Sequence, residues 1–179
     1  MSTLEVNNIK DTGSNSLISS NGSGTFTINN SVLKATPAFE AHVGSNQTFT
    51  SAIATKVQFN TESFDTDGCY DHTTNYRFTP TVAGKYFVYL DIGINANGNS
   101  EMNDNHCFIY KNGSIEQRSH TNFRGTGVRY DTPSLSAIIT MNGSTDYIEA
   151  YVECSDGVGN PLVQANPYTR FGAYKLIGV

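Results

Sequence analysis

Three aspartates, Asp65, Asp67 and Asp71, form the densest acidic group in the chain. Carboxylates at such spacing could do two things. Two of them facing each other across a cleft could cleave a glycosidic bond. Several converging oxygens could hold calcium, which takes about six to eight. These three fall within one turn, and the Asp65-x-Asp67-Gly68 run lacks the distal glutamate of an EF-hand loop. Turn aspartates usually bond their own backbone. The run therefore reads as a turn, with calcium as the single ion it could take and no other cofactor implied. His42, His72, His106 and His120 are isolated from one another in sequence and read as surface or hydrogen-bonded histidines. Cys69, Cys107 and Cys154 are odd in number and far apart, with no Cys-x-x-Cys, so zinc is not expected. Cys107 and Cys154 sit in alternating apolar runs and read as buried, reduced thiols. There is no Gly-x-Ser-x-Gly motif and no phosphate-cradling loop. No residue is assigned a catalytic role, and the chain does not read as an enzyme.

The charge points the same way. Lys and Arg total 11 and the net charge is -5, so no phosphate-facing basic patch forms. The densest basic stretch, Arg118, His120, Arg124 and Arg129, is interrupted by Gly125 and Gly127 and reads as a solvated loop. The longest apolar run, around Tyr86–Leu90, is too short to span a bilayer. The opening Met1-Ser2-Thr3 lacks the basic start and apolar stretch of a signal peptide, which predicts release from a cell by another route, such as lysis.

Strands must position whatever binds. The chain has ten Tyr, ten Phe and sixteen Gly, with few charges, and no stretch keeps helical periodicity. Asn-Gly at 97–98, 112–113 and 142–143 and Asp-Gly at 67–68 and 156–157 mark tight turns. Between them the apolar period is two. Tyr86, Val88, Leu90, Ile92 and Ile94 share a face, as do Ile148, Ala150 and Val152, with Tyr147, Glu149, Tyr151 and Glu153 opposite. Leu135, Ala137 and Ile139 alternate with Ser136, Ile138 and Thr140, and the last strand runs from Tyr168 to Ile177. With no helix to cover a face, such strands must pack sheet on sheet. The predicted fold is all-β: a two-sheet antiparallel jelly-roll sandwich with a short N-terminal β-rich segment. That segment, residues 1–36, shows apolar pairs at Leu4/Val6, Leu17/Ile18 and Phe26/Ile28 between turns. So few strands cannot bury enough surface alone, so they need sister chains or a larger particle.

From Val57 the chain reads Val-Gln-Phe-Asn, then Phe64-Asp65, then Tyr70-Asp71-His72-Thr73-Thr74-Asn75, then Phe78-Thr79-Pro80 leading to Gly84-Lys85-Tyr86. This resembles the globular-head family of complement component 1q, which shares its jelly roll with tumour necrosis factor. Tyr110-Lys111-Asn112-Gly113 is similar to that family's Lys-Asn-Gly hairpin. Ser134 to Tyr151 is similar to its late strand pair, and Phe171-Gly172-Ala173-Tyr174 to its closing strand. The resemblance covers roughly residues 37–179. There are departures: Val88 and Leu90 stand where aromatic residues are usual, Asn75 stands where glycine is usual, and the turn before Phe78 is longer by about one residue. Asn also tolerates the left-handed conformation. The leader, Leu4 to Gly13 and then Asn21-Gly22-Ser23-Gly24, resembles the openings of tail-fibre-like proteins of tailed phages.

Together the resemblances imply a homotrimeric virion protein with no catalytic role. Residues 1–36 would attach it to other virion proteins, and residues 37–179 would form a surface knob. A face carrying Tyr147, Tyr151 and Tyr174 would pack around a three-fold axis. Loops near Asn97–Asn105, Ser119–Asp131 and Ser155–Asn166, with Asn97, Asn103, Arg124, Arg129 and Asn160, would meet a host-surface glycan or protein. The other expectations are a head decoration protein that stabilises the particle and a secreted bacterial lectin-like protein.

Overall fold

Successive side chains of a strand point to opposite faces, so an alternating chain must lay its apolar side against a second sheet. The computed structural model describes residues 7–28, 36–97, 101–123, 125–156 and 160–178. One antiparallel sheet runs in the order β15 (Ser134–Met141), β10 (Gly84–Ile92), β18 (Thr169–Lys175), β4 (Ala38–His42), β7 (Thr61–Asp65). The facing sheet runs β13 (Ser114–Asn122), β12 (Met102–Lys111), β16 (Ile148–Asp156), β9 (Arg77–Phe78), β8 (Tyr70–Asp71). A further strand, β6 (Thr55–Lys56), also pairs with β16. A smaller sheet, β14 (Tyr130–Asp131), β11 (Ile94–Asn95), β17 (Leu162–Val163), β5 (Gln47–Thr48), continues beyond Gly93. Among the described residues there is no helix, and so none long and apolar enough to cross a membrane.

The core lies between the two large sheets. Tyr86, Val88, Leu90 and Ile92 of β10 are fully buried against Cys107 and Ile109 of β12 and Ile148, Ala150 and Val152 of β16. The aromatic centre is Phe39, stacked on Tyr70 at 4.4 Å and on Phe78 at 4.6 Å, with Phe171 edge-on at 5.1 Å. Ile94 is buried too, but on β11: the strand that sequence periodicity extends through Ile94 breaks at Gly93. All three cysteines are free and buried.

Two expectations are corrected. Arg118 and His120 stand on β13, a regular strand, and not in a loop; the polar alternation there belongs to the outward side of a hairpin. The residue with left-handed backbone in the 71–78 turn is Tyr76, φ 50°, and not Asn75. Asn75 serves instead through its amide groups, both donating to Asp71.

The leader forms its own antiparallel sheet, β1 (Asn8–Lys10), β2 (Ser16–Ser20) and β3 (Phe26–Ile28). Two of its strands match the apolar pairs at 17/18 and 26/28, while Leu4 and Val6 lie outside the described residues. None of its described residues is buried, and Phe26 is 67% exposed.

Candidate functional site

The aspartate turn is closed by its own backbone. Asp71 accepts hydrogen bonds from the backbone N–H of Thr73, Thr74 and Asn75 and from the Asn75 side chain. These donors, Thr74 first, hold its carboxyl far below the usual carboxylate range. Asp65 accepts from the Tyr70 N–H at 2.8 Å. Among the described residues no three His, Cys, Asp or Glu side chains gather as a metal site.

The outward face of the β15–β10–β18–β4–β7 sheet is apolar in one row and polar in the next. Ile138, Phe87 and Tyr174 are cross-strand neighbours, and the Phe87 ring lies 5.5 Å from Tyr174 and 6.3 Å from Tyr89. Ile138 is 62% and Tyr174 42% exposed. The next row sets Tyr89 beside Gly172, whose missing side chain leaves room for the tyrosine ring. The Tyr89 hydroxyl donates to Glu40 at 2.8 Å, and Phe64 stands exposed across from Glu40. Sequence reasoning found Tyr174 but missed Phe87, Tyr89 and Ile138. Alternation carried the signal, because residues between Tyr86, Val88 and Leu90 must face outward.

Tyr147 and Tyr151 lie at the other large sheet. Tyr151 stacks on Tyr110 at 4.1 Å with Lys56 over its ring, and Arg77 lies over Tyr147 at 4.5 Å. The three tyrosines grouped by sequence therefore sit on opposite sides of the sandwich. The same outer side brings together two histidines that are distant in sequence. His106 and His120 are cross-strand partners with parallel rings 4.0 Å apart. Burial, and then the neighbouring His120, pushes the His106 imidazole below its ordinary value.

The third surface lies where the small sheet meets the loops. Asn97, φ 63°, donates from its side chain to the Asn160 carbonyl at 3.2 Å. The Arg129 carbonyl accepts from the Ala96 N–H at 2.9 Å. Asn103 is exposed at a bulge in β12, and its carbonyl accepts from the Phe123 N–H. Arg124 lies outside the described residues. Beside these loops an open cleft of about 450 Å3 is lined by Tyr130, Asp131, Thr132, Gln164 and Tyr168. Its walls hang on one stretch of backbone. Asn95 pairs with Tyr130 and Ile94 with Asp131, the Gly93 N–H donates to the Tyr168 carbonyl at 2.7 Å, and the Gln164 N–H donates to the Gly93 carbonyl at 2.8 Å. Sequence reasoning named the loops but not the cleft, since its sides come from segments far apart in the chain.

No family model matches the chain, and no curated protein sequence matches it. Solved structures do. The globular domain of zebrafish complement 1qA protein has a TM-score of 0.56 at 14% identity, over 78% of this chain and 96% of that one. Murine APRIL at pH 5.0 has a TM-score of 0.56 at 12% identity, over 78% of this chain and 99% of that one. Its pH 8.0 structure has a TM-score of 0.57 at 10% identity, over 78% and 98%. The fold is the complement 1q/tumour-necrosis-factor-like jelly roll.

Proposed function

We propose that the chain is a trimeric, non-enzymatic binding knob on the outside of a phage particle. Residues 1–36 attach it to other virion proteins, and residues 37–179 present the loop end to a host-surface receptor. The observation that carries this reading is the uncovered row of Ile138, Phe87 and Tyr174 on one sheet. A contiguous exposed apolar row on a sheet face marks a protein contact. The resemblance to complement 1q heads supplies the geometry, three copies meeting around an axis. The leader supports attachment, because a three-stranded sheet with no buried residue gains its stability from a partner.

Labelling purified particles with an antibody to residues 37–179 tests the reading. Signal at the tail, together with reduced adsorption in particles lacking the protein, is the expected result. Signal spread over the head with unchanged adsorption would assign it to particle decoration, and particles free of label would end the virion reading.

A further inference from the structure

The cleft beside the loops joins two exposed aromatic rings to a carboxylate and an amide, with no cation in its lining. Tyr130 and Tyr168 are 58% and 52% exposed. A tyrosine ring offers a flat apolar face with a polar tip. Asp131 also lines the cleft and is held in place: its Oδ2 accepts from Nδ2 of the fully buried Asn105 at 2.7 Å. Thr132 and Gln164 add groups that both donate and accept.

We propose that this cleft is a binding subsite for a neutral sugar; the proposal rests on the receptor reading above. A pyranose has an apolar C–H face that lies on an aromatic ring and neighbouring hydroxyls that a fixed carboxylate accepts in pairs. An anionic sugar would meet Asp131 with no cation in the lining to offset it, on a chain whose net charge is already -5. A quaternary ammonium would use the rings and the carboxylate but leave the hydroxyl of Thr132 and the amide of Gln164 without a role. The site is also built in advance. A Cβ on Gly93 would come within 2.5 Å of the Tyr168 Cβ and 3.5 Å of the Gln164 Cβ, so glycine at this position lets both walls seat on the strand. Walls fixed by backbone lose little freedom on binding, which suits a ligand with few contacts. Three cleft copies on one knob raise a weak single-site affinity through effective concentration.

The test is saturation-transfer NMR and titration calorimetry on the full-length protein. The probes are the methyl glycosides of glucose, galactose, mannose and N-acetylglucosamine, with sialic acid and choline as contrasts. At least one neutral glycoside should bind through its ring protons. Asp131→Asn should weaken it about tenfold or more, the loss expected for one hydrogen bond to a charged group, and Tyr168→Ala should weaken it by a similar factor through loss of the ring face. Tyr130→Ala serves as an independent arm should Tyr168→Ala lower the melting temperature. The proposal fails if no neutral glycoside binds at millimolar concentration, if binding survives these substitutions, or if choline or sialic acid binds instead. Adsorption assays separate this from the receptor reading. Protein that blocks particle adsorption but binds no sugar removes the subsite and leaves the receptor role. Sugar binding that Asp131→Asn abolishes, with adsorption untouched, supports the subsite and removes the role.

Discussion

The Cys107 and Cys154 thiols face the core from adjacent paired strands, with Cys107 opposite Val152 and Cys154 opposite Asn105. Burial pushes both up to about 12. The consequence for stability has a definite sign. An unfolded thiol releases its proton near about 8.5. Between that value and about 12 the unfolded chain binds fewer protons than the folded one, so folding weakens as pH rises through the window. The hydroxyls of Tyr70, Tyr86 and Tyr89, also raised chiefly by burial, act in the same direction at higher pH. A thiol reagent at pH 8 should therefore leave Cys107 and Cys154 unlabelled until denaturant is added. Urea midpoints should fall steadily above about pH 9. Rapid native labelling, or a flat alkaline profile, would contradict the buried positions. The burial of these cysteines was legible from alternation alone. The stacking of His106 on His120 was not, because it follows from the register of one hairpin.

At the scale of elements, turn chemistry decides which strands meet. Asn112 and Gly113, with φ of 51° and 79°, close the β12–β13 hairpin as an Asn-Gly pair should. Asn142-Gly143 carries the same signal but sits in a longer connection running from Asn142 to Tyr147. There the Asn142 side chain accepts from the N–H groups of Ser144, Thr145 and Asp146. Asp146 ties that loop to the neighbouring hairpin through Asn112 at 2.8 Å and Lys111 at 3.0 Å. Gly143 has φ 72°, and a Cβ there would run into the backbone of Ala83 and come within 2.7 Å of the Val82 carbonyl carbon. Gly143→Ala should cost about 2 kcal/mol or more, because the obstruction is backbone and the conformation disfavours a side chain. A calorimetric melt checks this. Gly68→Ala, equally left-handed at φ 63° but in open space, should cost less.

For the whole molecule, the proposed trimer raises the question of which side of the sandwich other copies would cover. Residues Tyr147 and Tyr151 already have partners in Arg77, Tyr110 and Lys56, whereas Phe87 meets Tyr174, Tyr89 and Ile138 in a row that leaves Ile138 and Tyr174 exposed. Each such side chain, once buried, contributes about 1.5–3 kcal/mol. Light scattering should give about three times the 19.5 kDa chain mass. The double substitution Phe87→Ser and Tyr174→Ser should weaken association by at least about tenfold and yield monomer at micromolar concentration. Tyr151→Ser should leave the mass unchanged. Dissociation by Tyr151→Ser and not by the double substitution would transfer the contact to the opposite sheet.

The sequence by itself determined the fold class and most strand faces. Period-two alternation and Asn-Gly turns are local signals, and a chain with no helix to cover its sheets can only stack them. It also marked Tyr174, Asp71 and the loop end, because each rests on residue type at a known spacing. The tertiary structure alone decided that Tyr174 parts company with Tyr147 and Tyr151, since which sheet a strand joins depends on pairing across more than a hundred residues, as between β4 and β18. It alone assembled the cleft, whose walls at 130–131, 164 and 168 meet because each is tied to residues 93–95. Local periodicity fixes which way a side chain points within its strand. Long-range hydrogen bonding fixes what it points at.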